Sequence, residues 1–249
     1  MALVKAGVPI GSYAATSLPD PGADLLDPSD DQQLPVYDRR PGAFGADKYV
    51  LTNPVGLTTT FDGLDLSVGH SGDRLQMMAG ATAGRSSGPA ASRGFTVFEN
   101  DGALLGDVLS DPNASTFARG SFFSDRNYTI KTSGTYRFPH GVRLGLVARY
   151  QDGQSFSRLA VVPNLGQGTE AIRAYRNGRT RFAYTLTLDA RAQIGFHLGR
   201  QRLAVVWDAF NLLNLSNEVE ESVATGPAFR VSTALQPPRA IHLGVRVAF

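Results

Sequence analysis

The 249-residue chain contains no cysteine, and only 18% of its residues are charged. The absence of cysteine excludes a disulfide-stabilised scaffold, a cysteine-ligated metal and a cysteine nucleophile. The low charge argues against a coiled coil and against a charged disordered tail. Lys and Arg number 24 against 22 Asp and Glu, and this near balance does not indicate a nucleic-acid partner.

Long apolar runs are also missing, since none approaches the ~20 residues that a membrane-spanning helix requires. The mean hydropathy of -0.13 fits a soluble protein, but it also fits a membrane β-barrel, whose alternating strands average to neutral. Residues 1–16 do not read as a secretory signal, because Gly7, Pro9 and Gly11 interrupt the apolar positions. We therefore expect a chain that stays where it is made or belongs to something longer.

What the sequence does contain is an alternation of apolar and polar residues with a period of two. Between residues 182 and 198 the even positions are apolar and the odd positions are small, polar or charged, which predicts a strand rather than a helix. At about 3.3 Å per residue it would span roughly 56 Å. Similar alternation predicts further strands within 8–16 and at 61–70, 75–83, 128–138, 142–150, 203–214 and 241–249. We thus expect about eight antiparallel strands and no helix.

The connections between these strands alternate between short and long. The short turns lie at 70–73, 139–141 and 199–201, and the long segments at 18–56, 85–125, 152–180 and 215–238. Outer-membrane barrels have this parity, because one rim carries short periplasmic turns and the other carries long extracellular loops. The pattern predicts an all-β chain that forms an antiparallel transmembrane β-barrel segment over residues 1–249, with the four long segments as extracellular loops.

Aromatic residues near the strand ends support the same interpretation. They are predicted to form two girdles, with Tyr136, Phe138, Phe196 and Phe249 at the short-turn end and Tyr128, Tyr150, Phe182 and Tyr184 at the long-loop end. Such girdles lie at the two interfaces of a bilayer. The alternative is that aromatic residues simply favour strands.

Several segments resemble TonB-dependent receptors, in the subgroup whose full-length members carry a carboxypeptidase-regulatory-like N-terminal domain. The matching segments are WDAFNLLN at 207–214, PPRAIHLGVRVAF at 237–249, LTNP at 51–54, FDGLDL at 61–66 and DPGAD at 20–24. Each is loose alone, but their order and spacing are fairly specific, and the similarity extends from about residue 8 to residue 249.

The last eight residues resemble the outer-membrane assembly signal of such families. His242 takes its polar position, Gly244 its glycine, Val247 its hydrophobic position and Phe249 its final aromatic. Val247 departs from the commoner aromatic residue. The resemblance implies that the barrel assembly machinery captures this strand by pairing with its free edge.

The resemblance also implies what is absent from this chain. Complete receptors have a signal peptide, a TonB-binding box, a plug domain and about 22 strands around a plugged lumen. We therefore expect a C-terminal third of a barrel that takes part in nutrient uptake at the outer membrane and is not active alone. Its implied partners are outer-membrane lipid, the assembly machinery, the missing barrel and plug, and TonB through that missing part. An isolated sheet of this kind would expose two edges and aggregate.

The candidate chemistry is that of a lumen rather than an enzyme. The polar positions predicted to face the lumen include Arg143, Arg149, Asp189, Arg191, Asp208 and Arg246. A hydrated lumen accommodates such charges, and no catalytic residue or cofactor is predicted. His70 and His140 fall in turns and His197 and His242 on the polar side, without the i, i+4 spacing of a helical zinc site.

Three alternatives stay open. The aspartates of residues 20–31 do not follow the EF-hand spacing, so a solvated loop is expected, with a calcium site as the alternative. The chain could also be a complete small barrel with a structural or adhesive role, whose interior would be just wide enough for side chains. The other alternative is a soluble β-sandwich binding module, which detergent-free solubility would favour.

Overall fold

The computed structural model describes residues 2–6, 8–22, 28–52, 58–89, 112–122, 125–176 and 179–248. The strands are β1 (Ala2–Ala6), β2 (Tyr13–Asp20), β3 (Gln32–Arg39), β4 (Lys48–Thr52), β5 (Thr60–Ser71), β6 (Leu75–Pro89), β7 (Arg119–Gly120), β8 (Tyr128–Arg137), β9 (Val142–Gln151), β10 (Ser155–Phe156), β11 (Leu159–Leu165), β12 (Gly168–Arg173), β13 (Thr180–Arg181), β14 (Thr185–Leu198), β15 (Gln201–Phe210), β16 (Glu218–Glu221), β17 (Ser232–Leu235) and β18 (Ala240–Ala248). A one-turn helix, α1 (Pro112–Ser115), and 3-10 turns at Ile10–Ser12, Pro28–Asp30, Pro41–Ala43 and Pro139–Gly141 complete the described elements. None of the helices in these ranges has the length and apolar character needed to cross a membrane.

Seven long strands form one antiparallel sheet in the order β18-β15-β14-β9-β8-β6-β5, called here the main sheet. The short strand β7 pairs beside the end of β6. The all-β, antiparallel prediction is therefore confirmed. The first strand predicted within 8–16 is present in part, since β2 starts at Tyr13 after the 3-10 turn Ile10–Ser12, but it pairs with β3 outside the main sheet. The strand predicted from residue 182 begins at Thr185.

The alternation has one common phase across the whole main sheet. Ala192 is opposite Leu144 and Trp207, and Trp207 is opposite Leu243. Because a one-residue slip would move every side chain of a strand to the other side, this register places all the apolar sets on one side, the apolar face. That face is open to its surroundings, as the exposure of Leu243 (78%) and Val245 (70%) shows.

The two ends of the main sheet differ. Tight turns join β5 to β6, β8 to β9 and β14 to β15, all at one end, and every long segment leaves from the other. The turn after β8 depends on Gly141, whose φ of +77° favours glycine and whose added Cβ would lie 2.3 Å from the Gly195 carbonyl oxygen. Within the described residues β5 and β18 are each paired on one side only, so the sheet is open.

The long segments fold into a second structure, the cap, built from β2, β3, β10–β13, β16 and β17. Its strands pair as the hairpins β2–β3, β11–β12 and β16–β17 and the short pair β10–β13. Nearly all the large buried apolar side chains of the described residues lie here. They form three clusters: Leu34, Ala160, Ala174 and Tyr175; Phe156, Leu159, Phe182 and Val223; and Val36, Val162 and Ile172. The cap therefore has a hydrophobic core that the main sheet lacks.

Phe182 belongs to this core. It is 7% exposed and stacks on Phe156 with the ring centroids 4.5 Å apart. Its predicted place in an aromatic girdle is therefore wrong, because the chain enters β14 only three residues later. Other girdle residues do pair at the sheet ends, with centroids 5.6 Å apart for Tyr150 and Tyr184 and 4.5 Å apart for Tyr136 and Phe138.

Side-chain amides occupy the outer edge of β3. Asn113 of α1 accepts a hydrogen bond from the Tyr37 backbone N–H and donates one to the Tyr37 carbonyl, each at 2.8 Å. Gln167 accepts from the Arg39 backbone N–H at 2.8 Å and also donates to the Tyr37 carbonyl. Two amides thus take the place of a neighbouring strand at this edge.

Candidate functional site

The side of the main sheet opposite the apolar face is polar and carries the predicted charged residues. In the register, Arg191 is opposite Gly145 and Asp208, and Asp208 is opposite His242. The same phase places all six predicted polar residues on this polar face: Arg143, Arg149, Asp189, Arg191, Asp208 and Arg246. The alternation with a period of two therefore predicted a face that residues from four different strands share.

The charges in the middle of the polar face neutralise one another. Arg191 and Asp208 form a two-pronged ion pair, Nε to Oδ1 at 2.5 Å and Nη2 to Oδ2 at 2.8 Å. Asp189 accepts a hydrogen bond from the Asn211 backbone N–H at 2.9 Å. The planar guanidinium group of Arg191 and the planar carboxylate of Asp208 suit the two-pronged pairing, which fixes both of these side chains. A concavity of about 770 Å³ lies over this region, lined also by Gln76, Ser133 and Arg149.

A second concavity, of about 610 Å³, lies on the polar face at the tight-turn end. Its charged lining residues are Arg137, Arg143, Arg202 and Arg246, and Gln193 and His197 lie beside them. The register explains the space, because the small residues Gly195, Ala204 and Ala248 occupy the neighbouring polar-face positions. The two concavities thus differ in charge, since acids accompany bases only in the first.

Polar contacts at the opposite end hold the sheet to its long segments. Arg181 donates to the Asp125 carboxylate at 2.6 Å, to the Asn127 side chain at 2.7 Å and to the Gly153 carbonyl at 3.0 Å. Burial lowers the pKa of the neighbouring Arg126, while the nearby Asp152 carboxylate raises it and Arg181 lowers it further. The side chains of Arg181 and Asp125 are therefore held in place by structural contacts and are not free charges.

The WDAFNLLN segment owes its asparagines to backbone geometry, which sequence reasoning missed. Asn211 and Asn214 have φ values of +47° and +53°, a left-handed conformation in which asparagine is enriched. The Asn211 amide donates to the carbonyls of Leu215 and Pro237 at 2.9 and 2.8 Å, and Asn214 accepts from the Arg239 N–H at 3.0 Å. Two asparagines three positions apart, just after the end of a strand, were the sequence signal for this turn.

The residues of the resembled assembly signal lie along β18. His242 is on the polar face, edge-on to Phe210 with the ring centroids 5.4 Å apart. Gly244 is opposite Val206, and Val247 is opposite Leu203 on the apolar face. Phe249 lies outside the described residues. The edge of β18 away from β15 has no described partner strand.

Within the described residues, the candidate metal ligands lie apart from one another. Across the described ranges, no three histidine or acidic side chains come close enough together to hold an ion. Within the predicted acidic loop, Asp20 is 1% exposed, and its carboxylate already accepts hydrogen bonds from Arg158 and Gln32. Residues 24 and 27 lie outside the described residues. His140 is in a turn as predicted, whereas His70 is the penultimate residue of β5 rather than part of the turn.

No protein-family model matches the chain, and no curated protein matches it.

Proposed function

We propose that the chain forms the C-terminal wall and outer loops of a TonB-dependent type of outer-membrane receptor for nutrient uptake. The observation that carries this proposal is the single-layer sheet with one exposed apolar face and one charged face. Its seven strands are 9 to 15 residues long, against the roughly 9–11 that cross a bilayer. The resemblance at 207–214 and 237–249 supplies the receptor type.

Lipid is the environment that suits the apolar face best. In water, contiguous apolar patches beyond a few hundred Å² are rare on monomeric proteins and mark interaction sites. Each apolar side chain that leaves water contributes about 25 cal/mol per Å². The soluble β-sandwich alternative needs a second layer over this face, and the described residues include none, since Leu66 and Leu243 are 60% and 78% exposed.

The open edges favour a segment over a complete small barrel. A closed barrel of these strands would require β5 to pair with β18, and the described pairings do not include that contact. In our proposal both edges join the strands of the missing wall. The cap then lies on the extracellular side, where ligand is first met, and the polar face lines the lumen.

Trp207, the chain's single tryptophan, provides the test because it lies on the apolar face. The full chain is refolded in a brominated alkyl maltoside, whose bromine atoms quench tryptophan at contact distance. We expect strong quenching of Trp207 fluorescence and little additional quenching by aqueous iodide.

The matched control moves the tryptophan to the adjacent position and therefore to the other face. In Val206→Trp/Trp207→Phe, iodide should quench and the brominated detergent should not, because neighbouring residues of a strand point to opposite faces. Equal quenching of both proteins by bromine, or a Trp207 protected from both quenchers, would refute the proposal and indicate a covered apolar face.

A further inference from the structure

The concavity at the tight-turn end of the polar face brings four arginines together. Arg137 on β8 and Arg143 on β9 are directly opposite each other, and Arg143 is in turn opposite Gln193 on β14. Directly opposed like charges destabilise an antiparallel pair, so a sheet gains nothing from this arrangement by itself. The opposed arginines would be stabilised by a negatively charged group that lies near both of them.

Arg202 and Arg246 extend the cluster across the next two strands. Arg202 on β15 is opposite His197, and Arg246 on β18 is opposite Ala204. All four residues line the same concavity, so their guanidinium groups can turn toward one ligand. All four side chains belong to exposed residues, free to do so.

No acid of the described residues neutralises this cluster. Its lining contains no carboxylate side chain, and none of the four guanidinium groups makes an ion pair or a hydrogen bond with a described residue. The next acid along the polar face is Asp208, which is already held at both oxygens by Arg191. Asp189 beyond it is engaged by the Asn211 backbone.

We propose that this four-arginine cluster binds a small ligand bearing two or more anionic oxygen groups, of the phosphate or carboxylate class. Guanidinium groups match such oxygens with paired hydrogen bonds, which ammonium groups cannot form in a fixed fork. The concavity of about 610 Å³ has the size of a small-molecule site. Gln193 and His197 add further polar side chains to its lining. The inference does not depend on membrane insertion, since the same strands form the site whatever covers the apolar face.

The test measures binding of inorganic pyrophosphate to the full chain, refolded in an uncharged detergent, by isothermal titration calorimetry. We expect saturable binding that weakens as salt is added, because the contacts are between exposed charges. Citrate should displace pyrophosphate and acetate should not, since acetate carries a single charge.

Variants locate the site. Arg143→Gln and Arg246→Gln should each weaken binding roughly tenfold, the loss expected for one charge-assisted hydrogen bond. Arg149→Gln is the matched control, because Arg149 shares the polar face but lies outside the cluster, and it should change affinity less than about twofold. The two substitutions lie on different strands, so if one variant does not refold, the other still measures the contribution of the cluster to binding.

A dissociation constant of about 1 mM would give near-saturation at about 10 mM pyrophosphate. Absence of saturable binding up to that concentration would therefore overturn the inference. An equal loss in Arg149→Gln would also overturn it, since the attraction would then be diffuse. Either result would leave the quenching test of Trp207 unaffected, so failure of this site and failure of the receptor proposal are distinguishable.

Discussion

Asp20 and Arg158 lie 138 positions apart in the chain and form an ion pair of 2.7 Å, in which the side chains are 0% and 4% exposed. The pair joins the hairpin β2–β3 to the segment that leads into β11. Gln32 and Thr225 also donate to the Asp20 carboxylate, at 3.0 and 3.3 Å. The contact thus connects three separate long segments at one buried point.

Removing one member of this pair should destabilise the cap strongly. We expect Asp20→Ala to cost about 3–5 kcal/mol, because the Arg158 charge would stay buried without its partner. Hydrogen exchange of the β2 and β11 amides measures this loss locally. The double variant Asp20→Ala/Arg158→Met should lose less than the single variant, and a larger loss in the double variant would contradict the explanation.

The cap core should respond to a cavity as a packed interior does. Ile172 is 0% exposed and packs with Val36 and Val162, so Ile172→Ala should cost about 2–5 kcal/mol. Val161 belongs to the same hairpin but is 41% exposed, and Val161→Ala should change stability by less than about 0.5 kcal/mol. Proteolysis of the cap at increasing urea concentration compares the two, and equal effects would argue against a specific core.

A charge on the apolar face tests the lipid environment. Leu243→Arg should reduce the binding of the chain to lipid vesicles, since arginine on a lipid face costs about 2–4 kcal/mol near the bilayer centre. His242→Arg is the control, because the adjacent position lies on the polar face beside Asp208. Flotation with vesicles measures binding. Unchanged flotation of Leu243→Arg would contradict a lipid-facing surface.

The turn after β15 should depend on both properties of Asn211. Asn211→Ala removes the bonds to Leu215 and Pro237 and places a Cβ in a left-handed conformation, whereas Asn211→Gly removes the bonds alone. We expect both variants to be less stable than the native chain, with alanine worse than glycine by about 1–2 kcal/mol. Urea unfolding measures the difference. A glycine variant no better than alanine would show that the backbone conformation contributes little.

The strands of the main sheet were predictable because their information is local. Between Thr185 and Leu198 each residue's face follows from its position in the alternation, and pairing preserves that phase from β5 to β18. The six charged residues on the polar face followed from the same rule. Boundaries were less accurate where, as at Phe182, an aromatic continues the alternation but belongs to another core.

The cap could not be read in this way. Its buried residues occur in short pieces, such as Leu34 with Val36 and Ile172 with Ala174, in which Pro35 and Arg173 separate the apolar positions. These pieces meet only in space, across more than a hundred positions of chain, and local periodicity carries no signal of that contact. The long connections were therefore predicted to be loops, although they contain most of the buried apolar residues. The one-turn helix α1 was missed for the same reason.

The amides of Asn113 and Gln167 have a consequence for how this protein associates with itself. They saturate the backbone groups of Tyr37 and the N–H of Arg39, so the hairpin offers no template there for growth of a cross-β stack. Within the described residues, the borders formed by β5 and β18 are the unpaired edges of the main sheet, where a further strand can add. Proline or lysine placed along those two borders should therefore reduce edge-to-edge association of the main sheet.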